Sequence, residues 1–427
     1  MTKPINADAA ARVFLAQTEE HLVSYLEACV HCGMCAEACH FHEATGNPRY
    51  TPSYKLFPMA RAYRRQRSPL GWLGLTPKVT AEELEEWEEL LFDSCTMCGR
   101  CTTICPMGID IASIIGQARK AFVAAGLGPE DLEQAATNAR DHGSPLGVTA
   151  DKLRERIEWL EDEHEVTISL DKDKADVLLT TSSIETMKYP ESIVAMAKIL
   201  NHAGLDWTIS TKGYEATNFG YLAGRGDVAQ IMVSRIVEAA ESLGAKTVII
   251  PECGHAYGVM RWSGANIIGR PLPFEVLHIS EFMAKLKREG NLKLKPYTDP
   301  VTYHDPCQIS RRGGATKQAR ELLDGFATGF REMSPTGNFN WCCGGGGGVQ
   351  AIGRAAELRH KVFRLKADQT EAAGTKTMIS SCSNCRLTMD ESKEAEHWDG
   401  EIASLVELIA DHLIEDEAKG EAQEPTA

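Results

Sequence analysis

The sequence lacks the features of a membrane-spanning or secreted chain. No uninterrupted apolar stretch approaches the roughly 18 residues expected of a membrane-spanning helix, and the first ten residues contain no apolar signal-peptide core. Positive charge is also scarce. The 45 Lys and Arg stand against 60 Asp and Glu, a net charge of −15, which disfavours a nucleic-acid-binding surface. We expect a cytoplasmic protein, either free or held by a partner on the inner face of the cytoplasmic membrane.

Cysteine is the residue that the sequence has in excess. The 427 residues include 14 cysteines, within an otherwise ordinary globular composition of 43% hydrophobic and 25% charged residues. At about 150 residues per domain, this length allows two or three domains. Such a chain can bury a core without disulfide bonds. Most of the cysteines lie at tight spacings, which favours metal ligation over cross-linking.

Two cysteine runs share the spacing C-x2-C-x2-C-x3-C. The first is Cys29, Cys32, Cys35 and Cys39, and the second is Cys95, Cys98, Cys101 and Cys105, followed by Pro106. This is the spacing of bacterial two-cluster ferredoxins, in which the fourth cysteine ligates the other cluster. We predict one [4Fe–4S] cubane on Cys29, Cys32, Cys35 and Cys105, and a second on Cys95, Cys98, Cys101 and Cys39. A pair of structural zinc sites is the alternative, and it fits these triplet-plus-one runs poorly.

The two runs are separated by 55 residues, far more than in a compact ferredoxin. This insert has a basic stretch over 55–67, an apolar stretch over 70–75 and an acidic, helix-favouring segment over 82–91. A solvated connector and a docking surface for a membrane-bound partner both remain open. His40 stands where the first run would usually have proline, and we expect it to change only the following turn.

From about Asp171 the pattern alternates between strands and helices. We predict strands at Asp176–Thr181, Lys246–Ile250, from Val301 and at Lys376–Ile379, and helices at Pro190–His202, Asp227–Leu243 and near Lys317–Leu323 and Arg354–Ala367. Such alternation favours parallel sheets covered by helices. Gly244–Tyr257 also matches Gly374–Leu387 at a constant offset of 130, which indicates a duplicated unit. In this register Glu252 stands opposite Cys382, and His255 stands opposite Cys385.

Only the second unit keeps a full set of cysteines. There are 34 residues between Cys307 and Cys342, and 38 between Cys343 and Cys382, with Cys385 following after two more. All of them follow predicted strand ends or glycine-rich turns, where parallel sheets tend to place ligands. The run Gly344–Gly348 allows a close backbone approach. It lacks the following Lys-Ser/Thr of a phosphate-binding loop.

This C-x34-CC-x38-C-x2-C constellation resembles the CCG domain of heterodisulfide reductases. With the two ferredoxin-type runs, the chain is similar to fused HdrC–HdrB proteins of the HdrD type. The string P-E-C-G-H-A-Y at 251–257 resembles the DsrK branch of these proteins, a subunit of the DsrMKJOP membrane complex. The resemblance implies a non-cubane [4Fe–4S] cluster at which a disulfide is cleaved, held by Cys307, Cys342, Cys343, Cys382 and Cys385.

Histidines near these cysteines are candidates for proton transfer. In the degenerate first unit, Cys253 and His255 are leftovers or have been reused, and we predict a substrate-side catalytic role for His255. His304, which precedes the Asp-Pro-Cys string that ends at Cys307, is a second candidate for such a role.

The fold class expected is a multi-domain α+β protein: a helical ferredoxin-like domain with two [4Fe–4S] clusters, followed by a duplicated α/β CCG (HdrB-like) body. The expected boundaries are 1–125 for the two-cluster domain, 126–170 for a helical linker, 171–298 for the degenerate half, 299–415 for the complete half and 416–427 for a disordered acidic tail. No dinucleotide fingerprint is present, so we expect neither flavin nor NAD in this chain.

The resemblance implies an iron–sulfur oxidoreductase that acts on a disulfide or trisulfide of a thiol carrier, either a DsrC-like protein or a heterodisulfide. Electrons would be exchanged through the two cubanes with a membrane haem-b, quinone-reactive subunit of the DsrM type. The alternative is a non-catalytic relay subunit of a flavin dehydrogenase, of the glycolate oxidase or anaerobic glycerol-3-phosphate dehydrogenase type.

Overall fold

The computed structural model describes residues 4–17 and 20–414. The acidic tail expected at 416–427 lies outside the described residues. Within the described ranges, no helix combines the length and the apolar character needed to cross a bilayer. The mixed α and β class predicted from the sequence is confirmed.

The first 164 residues contain helices and no named strand among the residues described. Helix α7 shows why they form where they do: the Thr80 side chain accepts a hydrogen bond from the backbone N–H of Glu83 at 3.2 Å, and Leu84, Trp87 and Leu91 pack inward at helical spacing. The helices of this part are α1 Ala7–Ala16, α2 Glu20–Ala28, α3 Met34–Glu37, α4 His40–Thr45, α5 Phe57–Arg67, α6 Pro69–Trp72, α7 Ala81–Phe92, α8 Arg100–Ile104, α9 Ile111–Ala124, α10 Glu130–His142 and α11 Ala150–His164.

A four-stranded parallel sheet follows, in the order β2-β1-β3-β4. Its strands are β1 Val177–Leu179, β2 Trp207–Thr208, β3 Thr247–Ile250 and β4 Glu275–His278. The helices around it are α12 Ser183–Lys188, α13 Pro190–His202, α14 Phe219–Ala223, α15 Gly226–Leu243, α16 Gly254–Gly258, α17 Gly264–Ile268 and α18 Ile279–Arg288. A π-helical turn at Val259–Ser263 joins α16 to α17.

A second parallel sheet has the order β5-β6-β7. Its strands are β5 Val301–His304, β6 Thr377–Ser380 and β7 Glu401–Ser404, and its helices are α19 Gln318–Leu323, α20 Ala356–Ala372, α21 Ser383–Ala395 and α22 Leu405–Ala410. Strands β5, β6 and β7 repeat the arrangement of β1, β3 and β4. The offset of 130 residues places β6 on β3, residue for residue. One apolar core cluster contains side chains from both sheets, so the two halves pack together.

The predicted elements are found close to their expected places. Helix α13 has the bounds expected from its apolar spacing, and α15 ends at Gly244, whose φ of 69° is a left-handed conformation that glycine adopts without strain. Helix α20 extends to Ala372, five residues beyond the predicted end. The short strands β2, β4 and β7 were not predicted from the sequence.

Candidate metal centres

The two ferredoxin-type loops have the same backbone conformation. His31 and Met97 occupy equivalent places with φ of 54° and 52°, and Gly33 and Gly99 follow with φ of 82° and 74°. Each loop then enters a short helix, α3 or α8. Two left-handed residues in five curl the chain around one point, so that three cysteine side chains of each loop converge.

Each set of four cysteines predicted to share a cubane lines one cavity. The first cavity is lined by Cys29, Cys32, Cys35 and Cys105. The second is lined by Cys39, Cys95, Cys98 and Cys101. The exchange of the fourth cysteine between the two runs is therefore present in the geometry. Which metal these thiols ligate stays a prediction.

Burial at the second cavity fits a metal centre. Desolvation raises the pKa of the Cys39 thiol, and it raises the pKa of Cys101 well above its ordinary value. A thiol in such a place forms a thiolate only beside a strong positive charge, which a bound metal supplies. Four buried sulfur donors around one small cavity suit an iron–sulfur cube.

The five cysteines of the second half converge on one point. The Sγ atoms of Cys343 and Cys385 are 3.2 Å apart. Cys342 forms thiol hydrogen bonds with Cys307 and with Cys343, and Cys385 forms another with Cys382. All five residues are 1–5% exposed. The structure thus brings together the whole set expected from the resemblance, and the donor chemistry fits an iron–sulfur cluster.

The second sheet positions these thiols. Strand β5 ends three residues before Cys307, and strand β6 ends two residues before Cys382. Because β5 and β6 are adjacent and parallel, their carboxyl ends open onto the same edge of the sheet. Cys382 then caps α21, which carries Cys385 in its first turn. The vicinal pair reaches the same edge from the glycine-rich turn.

The glycine run joins the second half to the ferredoxin-type domain. Gly347 has a φ of 65°, and a Cβ at that position would lie 2.8 Å from the carbonyl carbon of Thr96 and 3.0 Å from the Cys95 oxygen. The fully buried Arg119 stabilises this contact, since it donates to the carbonyl oxygens of Gly347 and Cys95. The two chains of backbone can approach this closely only because residue 347 has no side chain.

As a result, the second ferredoxin-type loop touches the five-cysteine site. The Sγ atoms of Cys98 and Cys342 lie within 4.8 Å of each other, and Thr96 Oγ1 is 3.4 Å from Cys342 Sγ. Spacing along the chain did not predict this contact, because 246 residues separate Thr96 from Cys342.

Two buried histidines lie against these thiols, and neither was predicted as a possible metal ligand. A ring nitrogen of His40 lies within 4.8 Å of Cys98 and Cys342, and a ring nitrogen of His304 lies within 4.8 Å of Cys343 and Cys385. Neither ring has a hydrogen-bond partner among residues 4–17 and 20–414. The expectation that His40 alters only the following turn is therefore too narrow. Its departure from the usual proline was the signal in the sequence.

A buried lysine lies behind the same site. Lys366 Nζ donates to Asn340 Oδ1 at 2.6 Å and to Gln369 Oε1 at 2.7 Å, and burial lowers its pKa to about 7. Burial, followed by the nearby Lys366 cation, also holds the pKa of His304 well below its usual range. The imidazole of His304 is therefore neutral near pH 7.

His255 lies apart from the thiols, on a cavity of about 120 Å³ between the domains. The wall of this cavity includes Met97, Tyr221, Trp262 and Gln308. His255 Nε2 is 3.1 Å from the Asn218 carbonyl oxygen and so carries the ring proton. Burial lowers the pKa of His255 to about 4, so the ring is neutral and its Nδ1 is an acceptor. Its predicted catalytic role stays a prediction.

The matching position of the first half holds a carboxylate. Glu252, which stands opposite Cys382 in the repeat, accepts hydrogen bonds from Ser404 Oγ at 2.7 Å and from the Val406 N–H at 3.1 Å. Cys253 is buried, with its thiol 3.8 Å from Thr217 Oγ1. This half offers one cysteine and does not reproduce the five-thiol set.

The comparisons with known proteins match both cysteine regions. Residues 25–109 match the 4Fe-4S dicluster domain, and residues 301–390 match the cysteine-rich CCG domain. A subunit of the dihydromethanophenazine:CoB–CoM heterodisulfide reductase from Methanosarcina barkeri, the HdrD chain, is 27% identical, over 91% of this chain and 94% of that protein. This chain is an HdrD-like iron–sulfur protein.

Two further relatives of the HdrD-like chain are parts of quinone-linked systems by name. The Hdr-like menaquinol oxidoreductase iron-sulfur subunit of Archaeoglobus profundus is 27% identical, over 91% of this chain and 80% of that protein. The EtfAB:quinone oxidoreductase of Syntrophomonas wolfei is 28% identical, over 87% of this chain and 56% of that protein. Together these findings support an iron–sulfur electron-transfer role as part of an oxidoreductase.

Proposed function

We propose that this chain is the iron–sulfur subunit that exchanges electrons between a membrane quinone-reactive partner and the disulfide or trisulfide of a thiol carrier. The observation that carries the proposal is the contact between the two cysteine systems. Cys98, predicted as a ligand of the second cubane, lies within 4.8 Å of Cys342 in the five-cysteine site. Electrons entering at the first cubane would therefore have a short, continuous route to buried thiols of the CCG domain.

Each group of residues has a distinct part in this proposal. Eight cysteines hold two cubanes, and Cys307, Cys342, Cys343, Cys382 and Cys385 hold a non-cubane [4Fe–4S] cluster that would supply iron to bind substrate sulfur and electrons to cleave the S–S bond. The balanced reaction is RSSR + 2 e⁻ + 2 H⁺ → 2 RSH. In that direction electrons pass from the partner through the cubanes, and in the reverse direction both thiols lose a proton.

The cavity beside His255 is the proposed approach for the substrate. Gln308, on its wall, follows Cys307 directly and donates through Nε2 to the Met97 carbonyl oxygen at 3.0 Å. The cavity therefore lies one residue from a predicted ligand of each metal site. The neutral His255 can accept a proton at Nδ1 when a carrier thiol is oxidised, which fits the predicted substrate-side role.

The insert between the cysteine runs is the proposed contact with the membrane partner. Residues 44–81 contain seven Lys and Arg and no Asp or Glu, in a chain with a net charge of −15. At the end of α5 and in α6, Leu70, Trp72, Leu73 and Leu75 are 59–73% exposed. An exposed apolar tip beside a basic helix is typical of a docking surface and untypical of a solvated connector. The DsrM-like haem subunit and the DsrC-like carrier remain proposals that rest on the resemblance.

The experiment compares two cysteine variants of the whole chain, purified without oxygen. We expect Cys342→Ser to remove the electron paramagnetic resonance (EPR) signal that appears with thiol or disulfide, and to leave both cubane signals. Cys98→Ala should slow the disulfide-dependent oxidation of the reduced protein, with substrate binding retained. Disulfide-dependent oxidation that is unchanged in Cys342→Ser would contradict the proposal.

A relay subunit of a flavin dehydrogenase is the second candidate. It is favoured by the likeness to the EtfAB:quinone oxidoreductase of Syntrophomonas wolfei, together with the burial of all five CCG thiols. Under this alternative, the purified chain would not be oxidised by any small disulfide, and its clusters would be reduced only when a flavoprotein is added. The same oxidation assay therefore separates the two functions.

A further inference from the structure

His304 is a buried imidazole without a hydrogen-bond partner. It is the last residue of β5, its exposure is 0%, and neither Nδ1 nor Nε2 has a partner among the described residues. Leaving a buried polar group unsatisfied costs free energy, so such a group in a native protein calls for a ligand. One ring nitrogen lies within 4.8 Å of the Cys343 and Cys385 thiols, which are themselves 3.2 Å apart.

We propose that His304 is a nitrogen ligand of the iron–sulfur cluster in the five-cysteine site, so that the cluster has a sixth protein donor. This inference rests on the proposed function, because it requires a cluster at that site. Imidazole nitrogen is a normal iron ligand, and two histidines replace two cysteines on one iron of Rieske centres.

The backbone around His304 is fixed, which gives the ring a defined direction. His304 pairs with Ser380 in the parallel register of β5 and β6, and the next residues along the two strands lead to Cys307 and Cys382. A histidine at this place is delivered to the cluster edge by the same two strand ends that deliver the thiols. It therefore belongs to the site through the fold as well as through distance.

His40 is the rival nitrogen. Its ring is also buried and unpartnered among the described residues, but it lies near Cys98 and Cys342, between the second ferredoxin-type loop and the CCG site. His255 is the matched control, because it is buried in the same interdomain region while its Nε2 is bonded to the Asn218 carbonyl. These three histidines allow the nitrogen donor to be assigned by substitution.

The test is pulsed EPR of the full chain, labelled with ¹⁵N only in histidine and reduced or substrate-treated so that the third cluster is paramagnetic. We expect a ¹⁵N hyperfine coupling in the wild type. It should be lost in His304→Ala and persist in His40→Gln and His255→Gln. His304→Cys is a second variant that keeps a ligand at the position. It should retain the iron content of the wild type, lose the coupling and show a lower midpoint potential, since a thiolate replaces a neutral ring.

The outcomes separate the inference from the function on which it rests. A third cluster in the wild type without any histidine coupling would overturn the inference alone, as would a coupling that persists in both His304 variants or disappears in His40→Gln. A wild-type chain with two cubanes and no third cluster would overturn the proposed function and the inference together.

Discussion

Replacing Gly347 with alanine tests whether the glycine run holds the two metal-binding regions together. Two costs are expected. The φ of 65° is left-handed, which costs an L-residue roughly 1–2 kcal/mol. The new Cβ would also lie 2.8 Å from the Thr96 carbonyl carbon, and relieving such overpacking against backbone costs about 1–3 kcal/mol. We expect Gly347→Ala to lower the free energy of unfolding by about 2–5 kcal/mol in total.

Gly244→Ala is the matched control for this prediction. Gly244 has a similar φ of 69°, and a Cβ there would meet nothing within 4 Å, so only the backbone cost applies. At about 2 °C per kcal/mol, Gly347→Ala should melt about 2–6 °C below Gly244→Ala in circular dichroism of the metal-loaded protein. It should also slow electron transfer from the cubanes to the disulfide, because Thr96 and Cys98 move away from Cys342. Equal melting temperatures and equal transfer rates in the two variants would refute the reasoning.

Two further predictions concern buried charges. Burial raises the pKa of Glu185 to about 8, so the folded state binds a proton that the unfolded state releases above about pH 4.5, and this carboxyl lowers stability as the pH rises from 5 to 8. The melting temperature of Glu185→Gln minus that of the wild type should therefore increase over this range, and a constant difference would contradict the pKa assignment. Lys55, which is buried at the cavity of the second cubane set, should stabilise a reduced cluster. Lys55→Met should lower the potential of that cubane by tens of millivolts, since about 1–2 kcal/mol of charge interaction is lost and 59 mV corresponds to about 1.4 kcal/mol for one electron. Lys55→Arg should leave that potential near the wild-type value in an EPR redox titration.

The sequence predicted the grouping of the cysteines because their spacing is local information. A C-x2-C-x2-C loop can place three thiols around one point, whatever the rest of the chain does. The repeat at an offset of 130 residues similarly predicted equivalent strands, and β3 and β6 coincide under it. Apolar periodicity predicted α13 and α15, since both bury one face against a sheet.

The contacts between domains could not be predicted in the same way. The closeness of Cys98 to Cys342 depends on Gly347 and Arg119, which are far apart in sequence and have no local signature as a pair. His304 could be noticed next to the Asp-Pro-Cys string, but only the fold shows that both of its ring nitrogens lack partners among the described residues. The strand β2 has two residues, too few for a period-2 pattern to stand out.

The degenerate half explains how one metal site can be lost while the other is kept. Glu252 stands where the repeat has Cys382, and its carboxylate accepts from Ser404 and Val406 at the junction of β7 and α22. Its backbone carbonyl accepts from the N–H of Ser383 at 2.6 Å, directly after Cys382. The position that lost a thiol in the first half thus fixes the backbone beside a thiol of the second half. Such a residue is retained for the geometry of the surviving site, which is why the first half persists without a cysteine set of its own.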